Sequence, residues 1–117
     1  MQTTETKAGE ILVVALEGHL DTVSSQPLED RLGKLIEEGE RQVVLDCARL
    51  DYLNSSGLKA VLVTAKRLEP LRGKLVLCGL SPNVFAIFEM IGFTRILSIV
   101  PGREEALRSF ADVRAAA

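Results

Sequence analysis

With 117 residues, the chain fits one domain with one modest hydrophobic core, and no length is left for separate catalytic and regulatory units. Its 47% apolar and 26% charged residues are ordinary for a soluble globular protein, and a net charge of −2 without a basic tract argues against binding nucleic acid. No run approaches the roughly 18 apolar residues of a membrane span, and the polar start Met1-Gln2-Thr3-Thr4-Glu5-Thr6-Lys7 has no signal-peptide core, so a cytoplasmic location without membrane insertion is expected.

The alternating segment Gln2 to Lys7 predicts a weak strand that pairs with Ile11 to Leu16 through a turn at Ala8-Gly9, as an antiparallel hairpin. Leu28, Leu32, Leu35 and Ile36 recur at helical spacing, and Gly39 is the expected stop. Gln42 to Leu45 is the next apolar strand. Leu58, Val61, Leu62, Ala65 and Leu68 then form a second helical face that Pro70 closes. Leu75 to Leu77 reads as a strand. Ser81 as N-cap and Pro82 at the first helical position open a third helix, with Val84, Ile87, Phe88 and Ile91 on one face and Gly92 at its end. Phe85, Phe88, Met90 and Phe93 are expected in the core around this helix, with one or two left exposed. Ile96 to Val100 is the last strand, and Leu107, Phe110 and Val113 mark a final helix after Pro101-Gly102. Strand–helix–strand alternation implies right-handed crossovers and an α/β domain over residues 1–117 with a mostly parallel sheet.

Sites in open α/β sheets gather where strands end and helices begin. Three such junctions carry suggestive residues: Glu17-Gly18-His19-Leu20-Asp21, the stretch from Asp46 to Gly57, and Cys78-Gly79-Leu80-Ser81-Pro82. In the second, Asn54 is a good N-cap. Ser55 and Ser56 fall in the first turn, where backbone N–H groups lack partners and the helix dipole is positive. A phosphate is tolerated there, with Lys59 one turn on, and it changes the surface charge by about −1.5 to −2 without unfolding the domain. By local chemistry alone, Asn54-Ser55-Ser56-Gly57 serves equally as an ordinary polar helix start, and Lys59 as a solvated charge. Asp21 and Asp46 read as caps or turn residues, and His19 as a loop residue.

Catalysis finds little support. The serines lack the glycine pair of a nucleophile elbow and have no general base beside them. No Gly-rich phosphate loop follows the first strand, so no cofactor is expected. One His and no Cys-x-x-Cys leave a metal site without a ligand set. Cys47 and Cys78 read as reduced, half-buried thiols.

Taken together, these segments resemble a family. Val43-Val44-Leu45-Asp46, Leu50, and Tyr52-Leu53-Asn54-Ser55-Ser56-Gly57-Leu58 are similar to the signature of the STAS domain, in particular of anti-sigma factor antagonists. Glu17-Gly18-His19-Leu20-Asp21 resembles the family's Gly-x-Leu-Asp stretch. Leu77 to Val84 and Phe88 to Phe93 resemble its Ser-Pro-x-Val helix and exit. The resemblance implies a mixed sheet of four or five strands with four helices mostly on one side. It also implies a non-enzymatic partner switch. The unphosphorylated protein captures an anti-sigma factor that is a GHKL-type serine/threonine kinase, which frees the sigma factor. Phosphorylation of the serine matching Ser55 ends the capture, and a PP2C-type phosphatase resets it. Asp21, Asp46, Asn54, Ser56, Gly57 and Lys59 are then the expected switch region. The family usually has Asp where this chain has Asn54, which removes a negative charge beside the future phosphate. The alternative implied by the same resemblance is a cytoplasmic STAS subunit held constitutively on a lipid-trafficking ABC transporter.

Overall fold

Apolar runs at the expected positions become the strands of the computed structural model, which describes residues 1–95 and 97–116, with side chains described as far as Phe110. The order is β1 (Gln2–Ala8), β2 (Ile11–Leu20), α1 (Thr22–Glu37), β3 (Gln42–Leu53), α2 (Ser55–Leu68), β4 (Lys74–Cys78), α3 (Pro82–Met90), β5 (Ser98–Val100) and α4 (Arg103–Ala116). Of the last two expected elements, Ile96 and the side chain of Val113 lie outside the described residues.

The five strands form one sheet in the order β1-β2-β3-β4-β5. β1 runs antiparallel to β2, and Ala8 pairs with Ile11 across Gly9-Glu10. Gly9, at φ +63°, supplies the left-handed backbone that this tight turn needs. The other three pairings are parallel. Each parallel step advances the same way across the sheet, so crossovers of one hand place α1, α2 and α3 on one face.

Alternation along the strands separates two apolar layers. Leu12, Val14, Val43, Leu45, Leu75 and Leu77 pack against Leu32, Val61 and Phe88 of α1, α2 and α3. Val13, Val44, Val76 and Cys78 point the other way, onto Ala106 and Phe110 of α4. The expected arrangement, helices mostly on one side, is therefore the one found. Phe88 is fully buried, while Phe85 is 36% and Met90 82% exposed, so the third helix both fills the core and presents apolar side chains outward.

Two expectations need correction. β2 was expected to end at Leu16 and β3 at Leu45, but they run on to Leu20 and Leu53. Register shifts between Ala15 and Glu17 and between Gly18 and His19 break the alternation that marks a strand. In the second half of β3, Leu50 and Leu53 face inward at a spacing of three, and Ala48, Arg49, Asp51 and Tyr52 are exposed. That pattern does not read as a strand. Secondly, Cys47 and Cys78 are fully buried free thiols, because both sit on central strands. Burial raises both thiols, that of Cys78 to about 11, which keeps them protonated and unreactive at neutral pH.

Candidate functional site at two adjacent helix starts

β2 and β3 are parallel neighbours whose last paired residues are Leu20 and Leu53. The chain leaves both strands the same way, one residue caps, and a helix begins. The starts of α1 and α2 therefore lie side by side at one edge of the sheet. The Asn54 N–H donates to the Leu20 carbonyl at 3.2 Å and ties the second start to the end of β2. Gly57 makes that approach possible. A Cβ there would lie 2.7 Å from the Leu20 oxygen and 2.8 Å from Leu20 Cγ. Its role is close packing rather than an unusual φ.

The two caps share one geometry. Asn54 Oδ1 accepts from the N–H groups of Ser56 (3.1 Å) and Gly57 (3.2 Å). Asp21 Oδ1 accepts from Val23 (3.0 Å) and Ser24 (3.1 Å). At α1 the box is completed, because the Asp21 N–H donates to Ser24 Oγ at 2.9 Å and Ser24 Oγ donates to the His19 carbonyl at 2.8 Å. The Ser24 N–H, with help from Val23, holds the Asp21 carboxyl below the usual carboxylate range, so it is charged at neutral pH.

Ser55 is exposed at the first position of α2. Ser56 turns back toward α1, its Oγ 3.4 Å from Thr22 Oγ1, and Asn54 Nδ2 donates to the same Thr22 oxygen at 3.4 Å. Thr22, which the sequence reading missed, thus links the two helix starts. Tyr52 and Val23 flank the edge, 49% and 84% exposed. The Tyr52 ring lies 5.6 Å from that of His19, which is a strand residue of β2 and not a loop residue.

The family model for the STAS domain matches residues 3–106. The chain belongs to the STAS domain family. A relative from Bordetella bronchiseptica, named as a candidate anti-sigma factor antagonist, BtrV, is 41% identical over 110 residues, covering 94% of this chain and 95% of that protein. The anti-sigma F factor antagonist of Paenibacillus polymyxa is 28% identical over 98 residues, 83% of this chain and 84% of the relative. Among solved structures, the fold matches the Bacillus protein SpoIIAA, described as an anti-sigma factor antagonist. Its unphosphorylated form superposes with a TM-score of 0.75 at 23% identity, over 97% of this chain and 98% of that one. Its phosphorylated form gives 0.74 at 23% identity, over 93% and 99%.

Within this STAS domain the structure brings Asp21, Asn54, Ser55, Ser56 and Gly57 to one edge, and leaves Lys59 exposed one turn along α2. Asp46 does not join them. It pairs with Cys78, level with the end of β4, and its side chain turns to the α4 face. There its Oδ2 accepts from Arg103 Nε, and Arg103 Nη2 also lies 2.8 Å from it. Its other oxygen accepts the Ala48 N–H. Asp46 holds α4 to the sheet. Among the described residues no group of three or more His, Cys, Asp or Glu is placed to hold a metal ion. No helix there is long and apolar enough to cross a membrane.

Proposed function

We propose that this STAS domain is an anti-sigma factor antagonist that works by binding and not by catalysis, with Ser55 as its switch. The unphosphorylated edge formed by the two helix starts captures a cytoplasmic anti-sigma factor of the GHKL-type serine/threonine kinase class, and the sigma factor is released. The kinase places a phosphate on Ser55, the complex separates, and a PP2C-type phosphatase restores the binding form.

The observation that carries this reading is the placement of Ser55. Its side chain is exposed at a helix start whose next two N–H groups are already capped by Asn54. A phosphate there costs the fold nothing, and the dipole of α2 favours it. Set into a packed interface, the same dianion must be desolvated and repels nearby carboxylates, so the penalty falls on the complex alone. The relatives named as anti-sigma factor antagonists support the same reading.

Capture from a lysate of the source organism tests it, with unmodified chain, Ser55→Ala and Ser55→Asp as baits. A GHKL-type kinase held by the first two and lost by the third is the expected result. The same partners on all three baits would reduce Ser55 to a helix-start residue.

A further inference from the structure

A groove lies at the edge of the sheet opposite the two helix starts. It runs between the last turns of α2, the start of β4 and the turn Phe93–Arg95 that leads to β5. Its volume is about 460 Å³, within the range of small-molecule sites. The apolar lining includes Leu62, Leu75 and Leu97, of which the last two are 5% and 6% exposed. Lys66 and Arg95 stand around it with one carboxylate, that of Glu69. In a chain of net charge −2, this is a local excess of positive charge over an apolar floor. Lys74 also borders the groove, but its Nζ turns to the α4 face, 5.9 Å from the centre of the Phe110 ring, and adds no charge to the groove. Lys66, from α2, and Arg95, from the turn before β5, are exposed and both line the groove.

We infer that this groove binds a small amphipathic anion, an acyl chain ending in a carboxylate. The chain lies over Leu62, Leu75 and Leu97, and the head group sits between Lys66 and Arg95. Apolar contact supplies the attraction and the two cations set the direction of binding. A neutral molecule of the same length gains the first and not the second. An inorganic anion gains the second and not the first.

The test is a methyl NMR titration of the full chain with decanoate, and with decanol and inorganic phosphate as controls. Decanoate is expected to shift the methyl signals of Leu62, Leu75 and Leu97 saturably. Decanol should bind roughly tenfold more weakly, as expected for loss of a charge-assisted contact. Phosphate should leave these methyls unshifted. The double variant Lys66→Glu/Arg95→Glu should weaken decanoate at least about tenfold. The neutral pair Lys66→Gln/Arg95→Gln replaces it if the reversed charges disturb the folded spectrum. Equal binding of decanol and decanoate, unchanged decanoate binding by the variant, or no saturable shift at these methyls would each overturn the assignment.

Discussion

The starts of α1 and α2 are the same construction in different chemistry. Each follows the end of a parallel strand, each has a short polar cap, and each places a hydroxyl at the first helical position, Thr22 or Ser55. At α1 the cap is a carboxylate closed into a box by Ser24, so full negative charge already sits on the helix N-terminus. At α2 the cap is a neutral amide, and the dipole there has no anion of its own. On the proposed reading, this difference divides the tasks. The first start is electrostatically complete and holds the edge in place. The second accepts added charge without loss of fold, which is what a phosphate switch requires.

The comparison breaks most visibly if Ser55 is given a charge. Ser55→Asp is expected to weaken the proposed complex with the anti-sigma factor kinase by about 100-fold or more, equivalent to about 2.7 kcal/mol. Thr22→Asp, beside a start that already carries charge, should perturb it less. Calorimetric titration of both variants against the captured kinase checks the order.

Next in size is Gly57→Ala. The added methyl meets the Leu20 backbone oxygen, which cannot move without disturbing the end of β2. A loss of about 1–3 kcal/mol is expected from overpacking, read by urea unfolding. Both starts should loosen together, because Leu20 belongs to the strand that leads into α1.

Cap removal is milder. Asn54→Ala should cost about 1 kcal/mol, and Asn54→Asp only a few tenths, since either side chain accepts the same N–H groups. Acid separates the two caps. The Asp21 carboxyl is held below its ordinary value, so its contribution is present above the unfolded carboxylate pKa of about 3.9 and is lost as pH falls through its lower folded value. Asn54 has no such dependence. Glu5, lowered by its hydrogen bond from Arg31, adds to the acid loss in every variant. Urea midpoints measured from pH 7 downward should therefore fall less steeply for Asp21→Asn than for the parent chain. An unchanged slope would remove the distinction between the caps.

Much of this edge is legible in the sequence, because caps and stops are local chemistry. Ser81-Pro82 opens α3 as expected, Gly39 and Gly92 follow α1 and α3 in left-handed backbone at φ +116° and +79°, and Asn54 caps α2. The tertiary facts were not legible. Strand ends that face solvent on one side carry polar residues and lose their period, so β2 and β3 look short. By sequence Asp46 ends a strand and belongs with the serines, whereas a parity of two along β3 turns it to the other face, onto Arg103. Thr22 carries no motif of its own. It matters only because β2 and β3 are neighbours, which brings its hydroxyl to Ser56. Gly57 is a similar case, since its need for hydrogen in place of a side chain is set by Leu20, from a different strand.

The most direct test of the central claim is to treat the purified chain with the kinase proposed as its partner and ATP, and map the phosphate by peptide mass spectrometry. The account predicts one phosphate, on Ser55, with none on Thr22 or Ser56, and a phosphorylated product that no longer binds the kinase. A phosphate on Thr22 or Ser56, a Ser55→Ala chain that is still modified, or a phosphorylated chain that binds as before would contradict it.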